Sequence, residues 1–197
     1  SQAVGLPPFQ AHLLYNRGIR HRSEIEPYLL ADSRLRNDPM LLPDMGSAVS
    51  RLTKALDAKE LIGVFGDFDT DGITGTALLT QAVRDLGGKV IPYLPDRVKE
   101  GHGLNELAVR HLRDQGVSLL VTVDCGVDSV AEVELAASLG MDSIITDHHT
   151  IPHELPVPCA LINPQRSDSE YPYAHLTGVG MAFKLVQALY SHVGRPP

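Results

Sequence analysis

The stretch IGVFGDFDTDGITG, residues 62–75, decides how the chain is read: a short apolar run stops at three carboxylates on alternate positions, Asp67, Asp69 and Asp71. Leu61 to Phe65 is apolar, short and followed by Gly66, which suits a buried strand of a parallel sheet. After Gly72, the residues Ala77, Leu78, Leu79, Ala82, Val83 and Leu86 recur at helical spacing until Gly87 and Gly88 break the run. The acids therefore fall at a strand's carboxyl end, where open α/β sheets place their ligands. Three acids so close repel one another and resist ionising unless a cation sits among them.

Outward from this stretch, strand and helix alternate. Strands are expected at Leu61–Phe65, Lys89–Leu94, Ser118–Val123, Ser143–Thr146 and Cys159–Ile162, with helical periodicity over Leu104–Gln115, Ser129–Leu139 and Gly180–Tyr190. That alternation predicts an α/β fold, a parallel Rossmann-like sheet flanked by helices. Upstream, Phe9–Leu30 reads as two short helices stopped by Gly18, with Ser23 as an N-cap three residues before Glu26. Asp32–Asp44, with Pro39 and Pro43, reads as a linker crossing a surface, and Ala48, Leu52, Ala55 and Leu56 as a further helix.

Three of the expected strands end in acid. The first gives Asp67, Asp69 and Asp71, the third ends at Asp124, and the fourth at Asp147 followed by His148 and His149. In a parallel sheet these ends open on one edge, so the pattern predicts hard oxygen ligands with one or two imidazoles. Such a set suits manganese, magnesium or iron better than a thiolate-rich zinc site would. Several carboxylates could hold two ions about 3.5–4 Å apart, the arrangement used for in-line attack at phosphorus. An EF-hand calcium loop is the first rival for DxDxDG. It fails because the required Glu falls at Leu78 and because a strand, not a helix, precedes the motif. Asp124 alone would read as a helix N-cap, so its case rests on company. His153, His175 and His192 read as solvated.

Composition excludes other classes. With 43% hydrophobic and 21% charged residues, and no apolar run of membrane length, the 197-residue chain is expected to be globular, without a membrane partner. Its amino terminus lacks the basic-then-apolar pattern of a secretory signal, which favours a cytoplasmic location. Cys125 and Cys159 are too few and too far apart for a disulfide framework or zinc site, and are expected as buried thiols. A net charge of −7 argues mildly against a broad nucleic-acid-binding face, although metals would neutralise part of it.

The segments GDFDTDGIT (66–74), VTVDCG (121–126), TDHH (146–149) and LTGVGMAFKL (176–185), in that order, resemble the DHH phosphoesterase superfamily. With LLYNRGI (13–19), DPMLLPDM (38–45) and RVKEGHGLN (97–105), the closer resemblance is to its RecJ-like branch of single-strand-specific 5′ exonucleases. It covers nearly the whole chain and divides it into a helical preface and linker, 1–45, and a DHH domain, 46–197. The resemblance implies a hydrolase degrading single-stranded DNA to nucleoside monophosphates in repair and recombination. Manganese or magnesium, two ions in the complete protein, would be the cofactor, and a single-strand-binding protein or a helicase the partners. Asp69 and Asp71 would ligate one metal each, Asp124 would bridge them, and His148 would complete the second. His149 would touch the scissile phosphate, with Asp124 also serving catalysis through the bridged nucleophile, while Asp67 keeps a supporting or turn-forming role.

Arg97 resembles the family's phosphate contact, His102 stands where the family has a Tyr in EGYG, and Asn105 is a weaker substrate contact. Gly178 and Gly180 would allow close backbone approach, or simply form a tight turn. Two further departures stand out. Phe65 occupies the position of a His ligand found in many members, and the chain stops at Pro197 before the family's next Asp ligand, so this fragment is expected to be weakly active or inactive alone. The alternatives within the same resemblance are a hydrolase of short oligonucleotides, cyclic dinucleotides or pyrophosphate, or an inactive scaffold in replication or repair.

Overall fold

The apolar run at 61–66 is strand β1 (Leu61–Gly66), buried from Ile62 to its end. Its side chains alternate between two cores: Ile62 and Val64 join one hydrophobic cluster, Phe65 another. Both faces are therefore covered, as expected for a parallel sheet between helix layers. In this computed structural model, residues 5–30 and 36–196 are described. Strands β2 (Lys89–Tyr93), β3 (Leu119–Val123), β4 (Asp142–Thr146) and β5 (Ala160–Ile162) complete one five-stranded sheet of order β2-β1-β3-β4-β5. All its pairings are parallel, so the fold is α/β, as the alternation predicts. Pro92, which has no N–H to give a ladder, lies in edge strand β2.

Helices α1 (Pro8–Asn16) and α2 (Arg22–Leu29) belong to a compact unit spanning residues 1–38, and the remaining helices to a second unit spanning 39–197. In the second unit, α3 (Met45–Asp57), α4 (Thr70–Asp85) and α7 (Gly178–His192) cover the Ile62 face of the sheet. Helices α5 (Glu106–Asp114) and α6 (Val130–Ser138) cover the Phe65 face. The strand order reverses between β1 and β3, whose following helices go to opposite faces. Their carboxyl ends therefore flank the crevice in which such sheets bind ligands.

Four expectations need correction. The Glu24 carboxylate accepts the backbone N–H groups of Arg20 and His21, so the cap of α2 is His21 rather than Ser23. The expected linker is more than a surface crossing: it forms a 3-10 turn at Pro39–Leu41 and sends Leu42, 2% exposed, into the core, while Met40, Leu41 and Asp44 stay at the surface. Asp44 ties it down by accepting from Leu161 N and Arg166 Nη1, while residues 32–35 of the expected linker lie outside those described. Helix α4 begins two residues before Gly72, because Asp69 caps it. Finally, Cys125 is buried but Cys159, just ahead of the short edge strand β5, is exposed.

Candidate metal centre

The three acids after β1 have different jobs. Asp69 caps α4, its Oδ1 accepting from Asp71 N at 2.9 Å and Gly72 N at 3.0 Å. The Gly72 N–H chiefly holds the Asp69 carboxyl below its usual range, against the opposing effect of burial. Gly72 is required, because a Cβ there would fall on the Asp67 backbone. Asp67 turns aside and accepts from Gly103 N at 3.3 Å, which ties down the loop after β2. Asp71 reaches furthest: its Oδ2 accepts from Gly178 N at 2.6 Å and its Oδ1 from Val179 N at 2.8 Å. A carboxylate thus meets the positive end of a 15-residue helix.

Asp124, at the end of β3, is the centre of the arrangement. It is 3% exposed and sits in the left-handed region with φ 64, a conformation Asp tolerates at modest cost. Its Oδ1 is buried and accepts no well-directed hydrogen bond, although His148 Nε2 lies 3.0 Å away. The same imidazole nitrogen is 3.9 Å from Asp71 Oδ2, and Asp69 is close enough for its charge to act on Asp124. Burial, then the charges of Asp71 and Asp69, push the Asp124 carboxyl up to about 7. The structure also shows why Gly178 opens α7: a Cβ there would overlap the Asp124 side chain. Gly180 meets no such demand, its nearest hypothetical contact being 3.5 Å, and its N–H is capped by Thr177. An orphaned carboxylate oxygen, two neighbouring acids and an imidazole make a donor set that fits a hard divalent cation.

Asp147 is not among the expected site residues, although its place immediately before the His pair marks it. It is 1% exposed and accepts from Val127 N, His148 N, His149 N and His149 Nδ1, the last at 2.7 Å. Burial alone would lower the His149 pKa, but the Asp147 hydrogen bond and the charges of Asp147, Asp124 and Asp67 raise it overall. Asn163 and Gln165 hold the backbone carbonyls of His149 and His148. Among the described residues, Asp124, His148 and His149 bring one ligand atom each within 4.8 Å of one another.

A cleft of about 450 Å³ opens beside this centre, lined in part by Asp67, His102, Leu104, Asp124, Val127 and His149. His102 therefore lies on the site. Arg97 is exposed, with its guanidinium 5.0 Å from the centroid of the Phe68 ring. Asn105 is occupied as the cap of α5, accepting from Ala108 N, and donates to Glu100. Phe65 is fully buried and stacks on Tyr93 at 5.6 Å, so the position of the family's additional His belongs to the core.

Residues 61–196 match the DHH family, N-terminal domain. The single-stranded-DNA-specific exonuclease RecJ of Bacillus subtilis is 38% identical over 189 residues, which is 96% of this chain and 24% of the relative. RecJ of Thermus thermophilus in complex with Mn²⁺ superposes with a TM-score of 0.71 at 30% identity, over 93% of this chain and 25% of that one. The same protein in complex with Mg²⁺ gives a TM-score of 0.63 at 28% identity, over 100% of this chain and 23% of that one. The chain thus spans about a quarter of the length of these relatives. No helix among the described residues is long and apolar enough to cross a membrane.

Proposed function

Because the chain belongs to the DHH family, we propose that it is the metal-dependent phosphodiesterase module of an exonuclease that degrades single-stranded DNA from its 5′ end to nucleoside monophosphates. The observation that carries this reading is the buried Asp124 Oδ1, without a donor and surrounded by Asp69, Asp71 and His148. Those four residues would hold two divalent ions, manganese or magnesium, which when bound supply a hydroxide nucleophile and neutralise phosphate charge.

The remaining chemistry belongs to the protein. Asp124, the buried member of the four, would serve both ions. His149, with Nδ1 fixed on Asp147, keeps Nε2 for an oxygen of the scissile phosphate, where it steadies the charge that develops during attack. Arg97 and His102, on the loop tied to Asp67, hold the strand's phosphate and sugar. Gly178 lets α7 close against Asp124, and Gly180 contributes at most a backbone contact; Asn105 acts through the loop it anchors. The helical preface and linker would take up residues 1–45, of which 39–45 pack with the second unit, and the DHH domain 46–197. A single-strand-binding protein or helicase as partner, and the cytoplasm as compartment, fit this role.

Calorimetry with manganese on the wild type and Asp124→Ala tests the centre. The wild type should bind and the variant should lose most of the heat; equal heats would remove the metal assignment. In the full-length protein, a 3′-labelled single-stranded oligonucleotide incubated with manganese should shorten stepwise from its 5′ end, and exclusive internal cutting would remove the exonuclease reading.

A further inference from the structure

The turn between α1 and α2 concentrates positive charge in a chain of net charge −7. Residues 12–22, HLLYNRGIRHR, contain three Arg and two His and no carboxylate. Arg17, Arg20 and Arg22 are exposed, and among the described residues none is held in an ion pair. Glu24 is committed to the backbone of Arg20 and His21, and Glu26, four residues from Arg22 on α2, is not paired with it. Arg22 moreover opens α2, where a cation opposes the helix dipole. A turn kept only for solubility would gain by exchanging one of these arginines for an acid. An aromatic ring lies among them: Tyr15 is 56% exposed, with the Arg20 guanidinium 5.1 Å from its ring centroid.

We infer that this turn is a second contact for single-stranded nucleic acid, with Arg17, Arg20 and Arg22 on phosphates and Tyr15, backed by Arg20, as a stacking surface for a base. Cationic side chains beside an exposed aromatic are the combination that grips unpaired strands, whose bases offer a π-face. A lipid surface calls for a longer basic cluster, of about four to eight cations. The inference rests on the reading of the substrate as a single strand, and gives the preface a task of its own in holding it.

Fluorescence anisotropy of a labelled oligo-dT with the 197-residue chain in EDTA separates binding from cleavage. The triple Arg17→Ala, Arg20→Ala, Arg22→Ala variant should bind at least about 10-fold more weakly at 50 mM salt, and its salt slope should fall by about two, for three phosphate contacts on a single strand. Tyr15→Ala should lose about 5-fold or more with the slope unchanged. The corresponding triple Lys variant should keep the slope and most of the affinity. Equal affinity and slope in wild type and triple Ala variant would overturn the inference, as would equal losses on oligo-dT and on phosphatidylserine vesicles or polyglutamate. Arginine-dependent binding in a protein that takes up no manganese would overturn the proposed function and leave this inference standing.

Discussion

Gly178 and Gly180 begin the same helix under different constraints. A methyl at Gly178 overlaps Asp124, whereas one at Gly180 finds ordinary van der Waals space. Gly178→Ala should therefore cost about 1–3 kcal/mol in urea denaturation, as for overpacking elsewhere. It should also weaken manganese binding at least 10-fold, because α7 or Asp124 must move. Gly180→Ala should be neutral or up to about 1 kcal/mol stabilising, since Ala is the better helix former. Matching stabilities for the two variants would mean that α7 does not approach Asp124 so closely. Their sequence context, GVG, gives no hint of this inequality, because it depends on a side chain 54 residues away. Asp124 and His148 were legible for the opposite reason: Asp124 follows directly on β3 and His148 follows β4 after a single intervening residue, and a parallel sheet delivers all such ends to one edge.

Two of the acids do structural work as elements pack, which complicates any reading of their variants. Asp69 caps α4 and Asp71 receives the start of α7. Asn caps a helix as well as Asp but is a poorer cation ligand, so Asp69→Asn should keep the metal-free stability while losing manganese affinity. Asp69→Ala should lose both, with about 1 kcal/mol of stability; identical metal-free unfolding curves for Asn and Ala would deny the cap. At the other end of the sheet, Glu60 accepts from Arg51 at 2.7 Å and from Ser118 at 2.9 Å, and Arg51 also donates to Asp142. The Arg51 hydrogen bond chiefly lowers the Glu60 pKa, against burial. A carboxyl whose folded pKa lies below its unfolded one stabilises fully above the unfolded value, about 4.3, and loses that contribution as pH falls through the folded value. Wild type should thus exceed Glu60→Gln by about 1 kcal/mol at pH 6, the gap closing below pH 4; a constant gap would assign the loss to something other than charge. The strands and most helices were legible to within two residues, since periodicity and glycine stops are local; α3 begins three residues before Ala48, and the 3-10 turn at Pro39–Leu41 was read as linker. Long-range devices, such as Asp44 joined to Arg166 and Asp71 to α7, leave no local pattern.

At the scale of the molecule, the sheet order β2-β1-β3-β4-β5 converts a list of acids into a site. Alternating strands and helices predict a parallel sheet but do not fix which strands are neighbours. Only when β3 lies beside β1, with their following helices on opposite faces, do Asp124 and the first acids meet at the reversal point. That meeting sets stability against function: the fold keeps a buried carboxylate next to two others, raised to about 7 by burial and their charge. Asp124→Asn removes one of the repelling charges and preserves the backbone, because Asn accepts the left-handed conformation as readily as Asp. In EDTA this variant should unfold at a higher temperature than wild type. With manganese the order should reverse, since binding to the folded state adds RT ln(1 + [L]/Kd), about 2.7 kcal/mol at 100 times Kd, to the wild type alone. Thermal unfolding of both proteins with and without manganese gives four midpoints, and the crossing is the signature. A variant less stable than wild type in EDTA would show that Asp124 is a net structural support. A variant stabilised by manganese as much as wild type would place the ion elsewhere. The crossing follows only if the strand order that gathers these acids exists to be completed by a cation.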